Sequence, residues 1–161
     1  MRDFKTDIAY GNKGIEIFKT DFLEFLNINY TDVTNCQQFQ VIDTDFLTKI
    51  GLYEIKLNYK DDEYLIIEEY TNINSELCPI SKGWFYKTKA DLIISISKNT
   101  RTMVFLPFTE KFKEYYELNK NNYSLFKNRL TIKDDKKWQS AFRKLPFSFF
   151  NGYISIYKKT V

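Results

Sequence analysis

The sequence predicts an α+β fold in which strands outnumber helices, and three observations carry that expectation. Residues 39–69 read as three consecutive strands, rich in β-branched and aromatic side chains and broken at Gly51 and at Lys60-Asp61-Asp62-Glu63. Ile15, Phe18, Phe22, Phe25 and Leu26 recur near helical spacing, so a helix over 14–26 must bury that stripe against a sheet. Apolar blocks at 92–96 and 102–106 add two more strands. The chain has 161 residues, 43% of them hydrophobic and 18% aromatic, enough for a single domain over 1–161 with its own core.

Each element has a local justification. Residues 1–13 form a polar lead-in, with Gly11-Asn12 as a turn signal. The helix over 14–26 follows, with Glu16 at its start, where the helix dipole favours a negative charge. Residues 27–38 make a polar loop into the first strand. The second strand spans 52–59. The third, Tyr64-Leu65-Ile66-Ile67 before Glu68 and Glu69, is almost continuously apolar, as a central strand covered on both faces would be. A loop at 71–80 and a turn at Gly83 lead to the strand at 92–96, and Pro107 ends the strand at 102–106. Thr109 then reads as the N-cap of a helix through Leu118. Residues 119–137 are polar and Lys-rich, 138–142 are a short helical candidate, and 152–157 a final strand.

Composition removes whole classes of chemistry. The chain has no histidine, so Ser-His-Asp and Cys-His nucleophiles, His-ligated zinc and His general bases are excluded. Cys36 and Cys78 lie far apart with no metal-ligand spacing, and core packing is the reading preferred for both. No apolar run approaches the ~20 residues of a membrane helix. The N-terminal residues lack a signal-peptide core, which points to the cytoplasm. Net charge is +3, but residues 1–100 carry 11 Lys and Arg against 16 Asp and Glu, and residues 101–161 carry 13 against 5. A cation-holding front and a polyanion-facing tail fit a nucleic-acid enzyme.

The residues that could do chemistry cluster in 39–69. In a strand, alternate side chains share a face, so Asp43 and Asp45 fall together on the first strand, and Glu54 and Lys56 on the second. Such acidic positions beside a Lys offer hard oxygen ligands for a divalent cation and an ammonium for the attacking water in phosphodiester cleavage. The same alternation sends Glu68 and Glu69 to opposite faces.

Glu16 in a first helix, Asp43 or Asp45 in a first strand, and Glu54-Ile55-Lys56 in the second carry a likeness, with Glu68 and with Gly83-Trp84-Phe85-Tyr86 leading to Ala90-Asp91. Over residues 3–108 they resemble the PD-(D/E)XK nuclease superfamily, more narrowly the small nuclease-like proteins of phages and low-GC bacteria. The resemblance implies a restriction-endonuclease-like αβββαβ core. Its mixed central sheet would be flanked by helices, with a basic aromatic extension over 109–161. It further implies that Asp45 and Glu54 hold Mg2+ or Mn2+ with the Ile55 carbonyl, and that Lys56 orients the attacking water. Glu16 would contribute from the helix side through a water, and Glu68 as a further ligand or as a partner of Lys56. The family's proline is absent, Thr44 or Ile42 standing in its place. Asp43 therefore remains an alternative to Asp45, which is favoured because two apolar residues, Phe46 and Leu47, follow it.

The function implied is a metal-dependent nuclease that hydrolyses phosphodiester bonds, with DNA favoured over RNA and endo- against exonuclease action left open, in the cytoplasm of a bacterial or phage-infected cell. Lys89, Lys87 and Trp84 are candidates for nucleic-acid contact. Cutting both strands of a duplex would favour a homodimer. The alternative is a non-catalytic binding or anti-defence protein on the same fold. The intact Glu16, Asp45, Glu54, Lys56 set ranks the enzyme first.

Overall fold

The structure is a computed structural model that describes residues 4–23, 27–58, 63–74, 76, 78–97, 99–133 and 136–158. The chain forms a mixed α+β fold. In order the elements are α1 (Phe4–Phe18), β1 (Tyr30–Asp32), α2 (Gln37–Gln40), β2 (Phe46–Thr48), β3 (Gly51–Asn58), β4 (Tyr64–Asn72), β5 (Ser81–Lys82) and α3 (Trp84–Lys87). They continue with β6 (Leu92–Ser97), β7 (Thr102–Pro107), α4 (Glu110–Asn119), β8 (Leu125–Lys127), β9 (Thr131–Lys133), β10 (Lys136–Trp138), β11 (Ala141–Pro146) and β12 (Ser155–Lys158). These group into two compact units, one of residues 1–62, 89–109 and 150–161, the other of residues 63–88 and 110–149.

The first unit holds a six-stranded mixed sheet in the order β1-β2-β3-β6-β7-β12. Only β3 and β6 run parallel, with Glu54 opposite Ile93 and Lys56 opposite Ser95. The remaining neighbours are antiparallel. A parallel pair needs a crossover, and here the crossover segment contributes β4, β5 and α3 to the second unit.

One face of this sheet is closed by α1 and the π-helical turn Lys19–Leu23. Ile17, Phe18 and Leu23 meet Phe46, Tyr53, Ile55, Ile94, Ile96 and Met103 in one buried cluster. The helix comes close because Gly14 has no side chain: a Cβ there would lie 3.1 Å from the Leu57 Cβ. Ile55 and Leu57 therefore face α1, and strand alternation sends Glu54 and Lys56 to the other face.

The second unit is built on a four-stranded antiparallel sheet, β5-β4-β11-β8. Its inner face carries Leu65, Ile67, Glu69, Ala141, Arg143 and Leu145, all buried. Phe85 of α3 and Tyr116 of α4 meet in the same core, ring centroids 4.2 Å apart. The polar atoms of this core satisfy one another. Glu69 Oε1 accepts from the Tyr116 hydroxyl at 2.6 Å and from Arg143 Nε at 2.7 Å, and Arg143 also donates to the Tyr123 carbonyl. A second chain links Tyr86, Glu117 and Lys120 at 2.7 to 2.8 Å. Burial pushes the Tyr86 hydroxyl pKa up to about 12.

Several expectations from sequence are overturned. The helix does not begin at residue 14; α1 runs from Phe4 straight through Gly11-Asn12 to Phe18. A helical glycine costs about 1 kcal/mol, and tertiary packing outweighs it. Glu16 thus stands near the end of this helix. The expected loop at 27–38 contains β1 and opens α2. The first strand shrinks to Phe46–Thr48, because α2 and a left-handed Asp43 (φ 45°) interrupt the alternation. The third strand is not central to the same sheet. It lies in the second unit with Leu65 and Ile67 buried and Tyr64 and Ile66 exposed, a one-sided strand. The helical candidate at 138–142 falls on the end of β10 and the start of β11, and Tyr153 forms a turn before β12. The helix from residue 110 and the strands at 92 and 102 are where the pattern put them. Residues 24–26 and 59–62, within the expected first helix and hairpin turn, lie outside the described residues.

Candidate functional site

Two turns and one strand converge on the face of β3 turned away from α1. The single turn of α2 closes with the Val41 amide on Gln37 O at 3.2 Å. The Asp43 and Thr44 amides then bond Gln40 O at 3.2 Å and Phe39 O at 3.1 Å. Asp43 sits in the left-handed region, which short polar side chains such as Asp tolerate. The chain turns sharply there and delivers Asp45 beside β3. The Asp45 amide donates to Tyr53 O at 2.8 Å, extending the β2-β3 ladder by one residue. Its side chain completes the contact: Oδ2 accepts the Ile55 amide at 2.8 Å.

Glu54 and Lys56 share the outward face of β3, two residues apart, and are bonded through Glu54 Oε1 and Lys56 Nζ. Glu54 is 5% exposed. Its other oxygen, Oε2, is buried with no hydrogen-bond partner among the described residues. Burying a carboxylate penalises its charged form. Burial therefore raises the Glu54 pKa to about 7, with Asp45 and Asp43 pushing the same way and Lys56 pulling against them. Burial likewise raises the Asp45 pKa, against the Ile55 amide and Lys56. For Lys56, burial works against the charge. Glu54, Asp43 and Asp45 outweigh it and hold the ammonium above its usual pKa. Glu54 and Asp45 thus resist ionising beside a lysine that stays charged.

The other expected residues stand elsewhere. Glu16 is exposed on α1, where Lys19 bonds it at 3.1 Å. Lys19 also reaches Asp32 at 2.6 Å, and that hydrogen bond is the main reason its pKa is raised. The Asp32 charge in turn is felt at Asp45. Lys19 and Asp32 were not singled out from sequence. They stand on different elements, thirteen positions apart, and nothing local pairs them. Glu68 belongs to β4 in the second unit, where Thr71 donates to it at 3.4 Å. Lys89 is exposed, and its backbone amide donates to Ile42 O at 3.0 Å, beside the turn of Asp43. Lys87 is exposed on α3 of the second unit. Trp84, expected as a stacking surface, is 7% exposed and packs against Phe85. An indole so buried offers no face to a base. Cys36 and Cys78 are both unbridged and half-buried.

Among the described residues no group of three or more Asp, Glu or Cys side chains is spaced to hold a metal ion by itself. The donor set does fit a hard cation that keeps most of its water. Mg2+ is commonly bound through one or two carboxylates, with the other positions left to water and substrate. The buried Glu54 Oε2 is an acceptor that such a cation would satisfy. No helix among the described residues is long and apolar enough to cross a membrane. No family model, no curated protein and no solved structure matches the chain.

Proposed function

We propose that the chain is a Mg2+- or Mn2+-dependent nuclease that hydrolyses phosphodiester bonds, with DNA as the favoured substrate, at the cluster of Asp45, Glu54 and Lys56. The observation that carries this reading is the buried Glu54 carboxyl. One of its oxygens is bonded by Lys56, the other has no hydrogen-bond partner among the described residues, and Asp45 is close enough to raise its pKa. A carboxyl left so is costly unless a cation or a proton completes it.

Asp45 and Glu54 would hold the cation, with Asp43 as a further charge beside them. Ile55 fits as the backbone donor. In an extended strand one residue's N–H and C=O leave by the same edge, and the Ile55 N–H leaves toward Asp45. Held there, a divalent ion would supply Lewis acidity to the phosphodiester and lower the pKa of a water bound to it. Lys56, kept protonated by its acidic neighbours, donates hydrogen bonds to the incoming water and to the phosphate oxygens on which charge grows. Lys89, exposed and with its amide bonded to Ile42 O beside the Asp43 turn, would contact the flanking phosphates.

The test is incubation with supercoiled plasmid, linear duplex and single-stranded DNA under Mg2+, Mn2+ or EDTA, with Lys56→Ala beside the wild type. Cleavage that needs the metal and disappears in the variant is expected. Cleavage surviving in the variant, or none under any metal, overturns the proposal.

A second reading, a non-catalytic binding or anti-defence protein, is favoured by the closed Glu54–Lys56 pair. A lysine already bonded to the carboxylate neutralises part of the charge that a cation would otherwise meet. On that reading EDTA and the Lys56 substitution leave partner binding unchanged.

A further inference from the structure

The parallel pair β3 and β6 is clasped at its start. Asp91 Oδ2 accepts the Leu52 amide at 2.8 Å, and the Asp91 amide donates to Leu52 O at 2.8 Å. Gly51 lets the clasp close: a Cβ there would lie 2.6 Å from Asp91 Oδ2, and its φ of 145° suits glycine. In the register so fixed, Lys56 stands opposite Ser95 and Asn58 opposite Ser97. Toward α1, β6 presents Ile94 and Ile96, both in the buried cluster. Ser95 and Ser97 therefore take the face of Glu54 and Lys56. The neighbour of Ser95 on its other side is Val104 of β7, which is buried. A strand paired in parallel and covered on both faces is expected to read as a continuous run of β-branched and aliphatic residues. β6 departs from that run only on the site face, where a half-buried serine stands beside the lysine.

We propose that the Ser95 hydroxyl is a substrate contact of this site, donating to a non-bridging oxygen of the phosphate that Lys56 meets. Adjacent strands lie about 4.8 Å apart, so a phosphate bonded by Lys56 spans the gap to the hydroxyl opposite. A hydroxyl donates one hydrogen bond and a phosphate oxygen accepts it, an ordinary pairing in nucleic-acid complexes. The two donors differ in what they add. The ammonium supplies charge, and the hydroxyl, coming from the next strand, fixes the phosphate at a second point and so sets its orientation. A packing role would favour the opposite choice of residue, because valine or isoleucine beside Val104 buries more apolar surface and suits a strand better. That this phosphate is the one cleaved rests on the nuclease reading; the contact itself rests on the register of β3 and β6.

The experiment compares Ser95→Thr with Ser95→Val, two β-branched side chains of one shape of which only threonine keeps the hydroxyl. Steady-state cleavage of linear duplex DNA in Mg2+ is measured beside urea unfolding of both variants, and beside fluorescence anisotropy with a labelled duplex in EDTA, where nothing is cut. Ser95→Thr is expected to exceed Ser95→Val about tenfold in kcat/KM, as the loss of a hydrogen bond to a charged group implies. Ser95→Val should unfold at no lower urea concentration than Ser95→Thr. Equal kcat/KM in the two variants overturns the proposal and leaves the nuclease reading standing. A lower unfolding midpoint in Ser95→Val makes the hydroxyl structural and overturns it as well. A wild type that cuts nothing sinks the nuclease reading, and the anisotropy then decides: tighter binding by Ser95→Thr than by Ser95→Val upholds the phosphate contact, and equal binding or none overturns it.

Discussion

Asp45 Oδ2 accepts the backbone amide of Ile55 at 2.8 Å, so the strand that carries Glu54 and Lys56 also holds the acid that faces them. The bond does two things. It satisfies a donor that β2, ending at Thr48 and opening at Phe46, is too short to reach. It also fixes one carboxylate oxygen of Asp45 against β3.

Substituting Asp45 therefore separates fold from activity only with the right residue. Asp45→Ala leaves the Ile55 amide without its acceptor, a loss of about 1 to 3 kcal/mol, and should lower the urea midpoint. Asp45→Asn keeps an acceptor oxygen and removes the charge. It should unfold close to the wild type while losing metal-dependent cleavage. Full cleavage by Asp45→Asn would leave Asp43 as the ligand.

The stability of the protein should fall as pH rises from about 5 to 7. The Glu54 pKa is raised in the folded state to about 7, from 4.5. Between those values the folded chain binds more protons than the unfolded one, and stability decreases with pH wherever that holds. The part due to Glu54 is present below the unfolded value and lost as pH passes the folded one. Glu54→Gln should flatten this slope in thermal unfolding measured across the window. A slope unchanged by the substitution would mean that Glu54 is not the group titrating.

Mg2+ or Mn2+ should oppose that loss. A cation binds the ionised carboxylate, so its affinity should increase as pH rises through 7, with proton release on binding. Calorimetry in two buffers of different ionisation enthalpy reads the released proton directly. Binding that releases none would separate the cation from Glu54.

Lys56→Ala should cost stability as well as activity, and the cost should depend on pH. Removing the half-exposed lysine leaves the buried Glu54 carboxylate without its partner, a loss of about 1 to 3 kcal/mol. At pH 5 Glu54 is protonated and neutral, so the penalty shrinks there. Urea unfolding at pH 5 and pH 8 tests this, with the larger difference from wild type expected at pH 8.

Gly83→Ala should destabilise the second unit without touching the carboxylate cluster. A Cβ at that position would lie 2.3 Å from the Glu68 carbonyl oxygen and 2.7 Å from its carbon, both backbone atoms that cannot rotate aside. A loss of about 1 to 3 kcal/mol is expected from such overpacking, measured by thermal unfolding.

Much of the central sheet was legible in the residues. The strands at 92 and 102 announced themselves by β-branched runs and by Pro107, and the helix after Thr109 by its aromatic spacing. The Glu54-Ile55-Lys56 strand put its two charges on one face by alternation alone. The path to Asp45 was not legible. Alternation assigned Asp43 and Asp45 to one strand face, whereas a helical turn and a left-handed residue bring them near Glu54. Asp43 and Asp45 do lie near Glu54, but through a turn and not through a shared strand face. The resemblance implies Glu68 as a further ligand or a partner of Lys56, whereas its strand, β4, pairs with β11 and β5.

By itself the sequence determined what is local: which stretches alternate, where prolines and polar turns stop them, and which chemistry the absence of histidine removes. These follow from backbone geometry and side-chain type over a few residues. Only the tertiary structure decided which strands pair, and with them that Glu54 is buried with one oxygen unmet and that Ser95 stands opposite Lys56. Burial and pairing are set by residues dozens of positions away, through hydrogen bonds and packing that no short window of sequence contains.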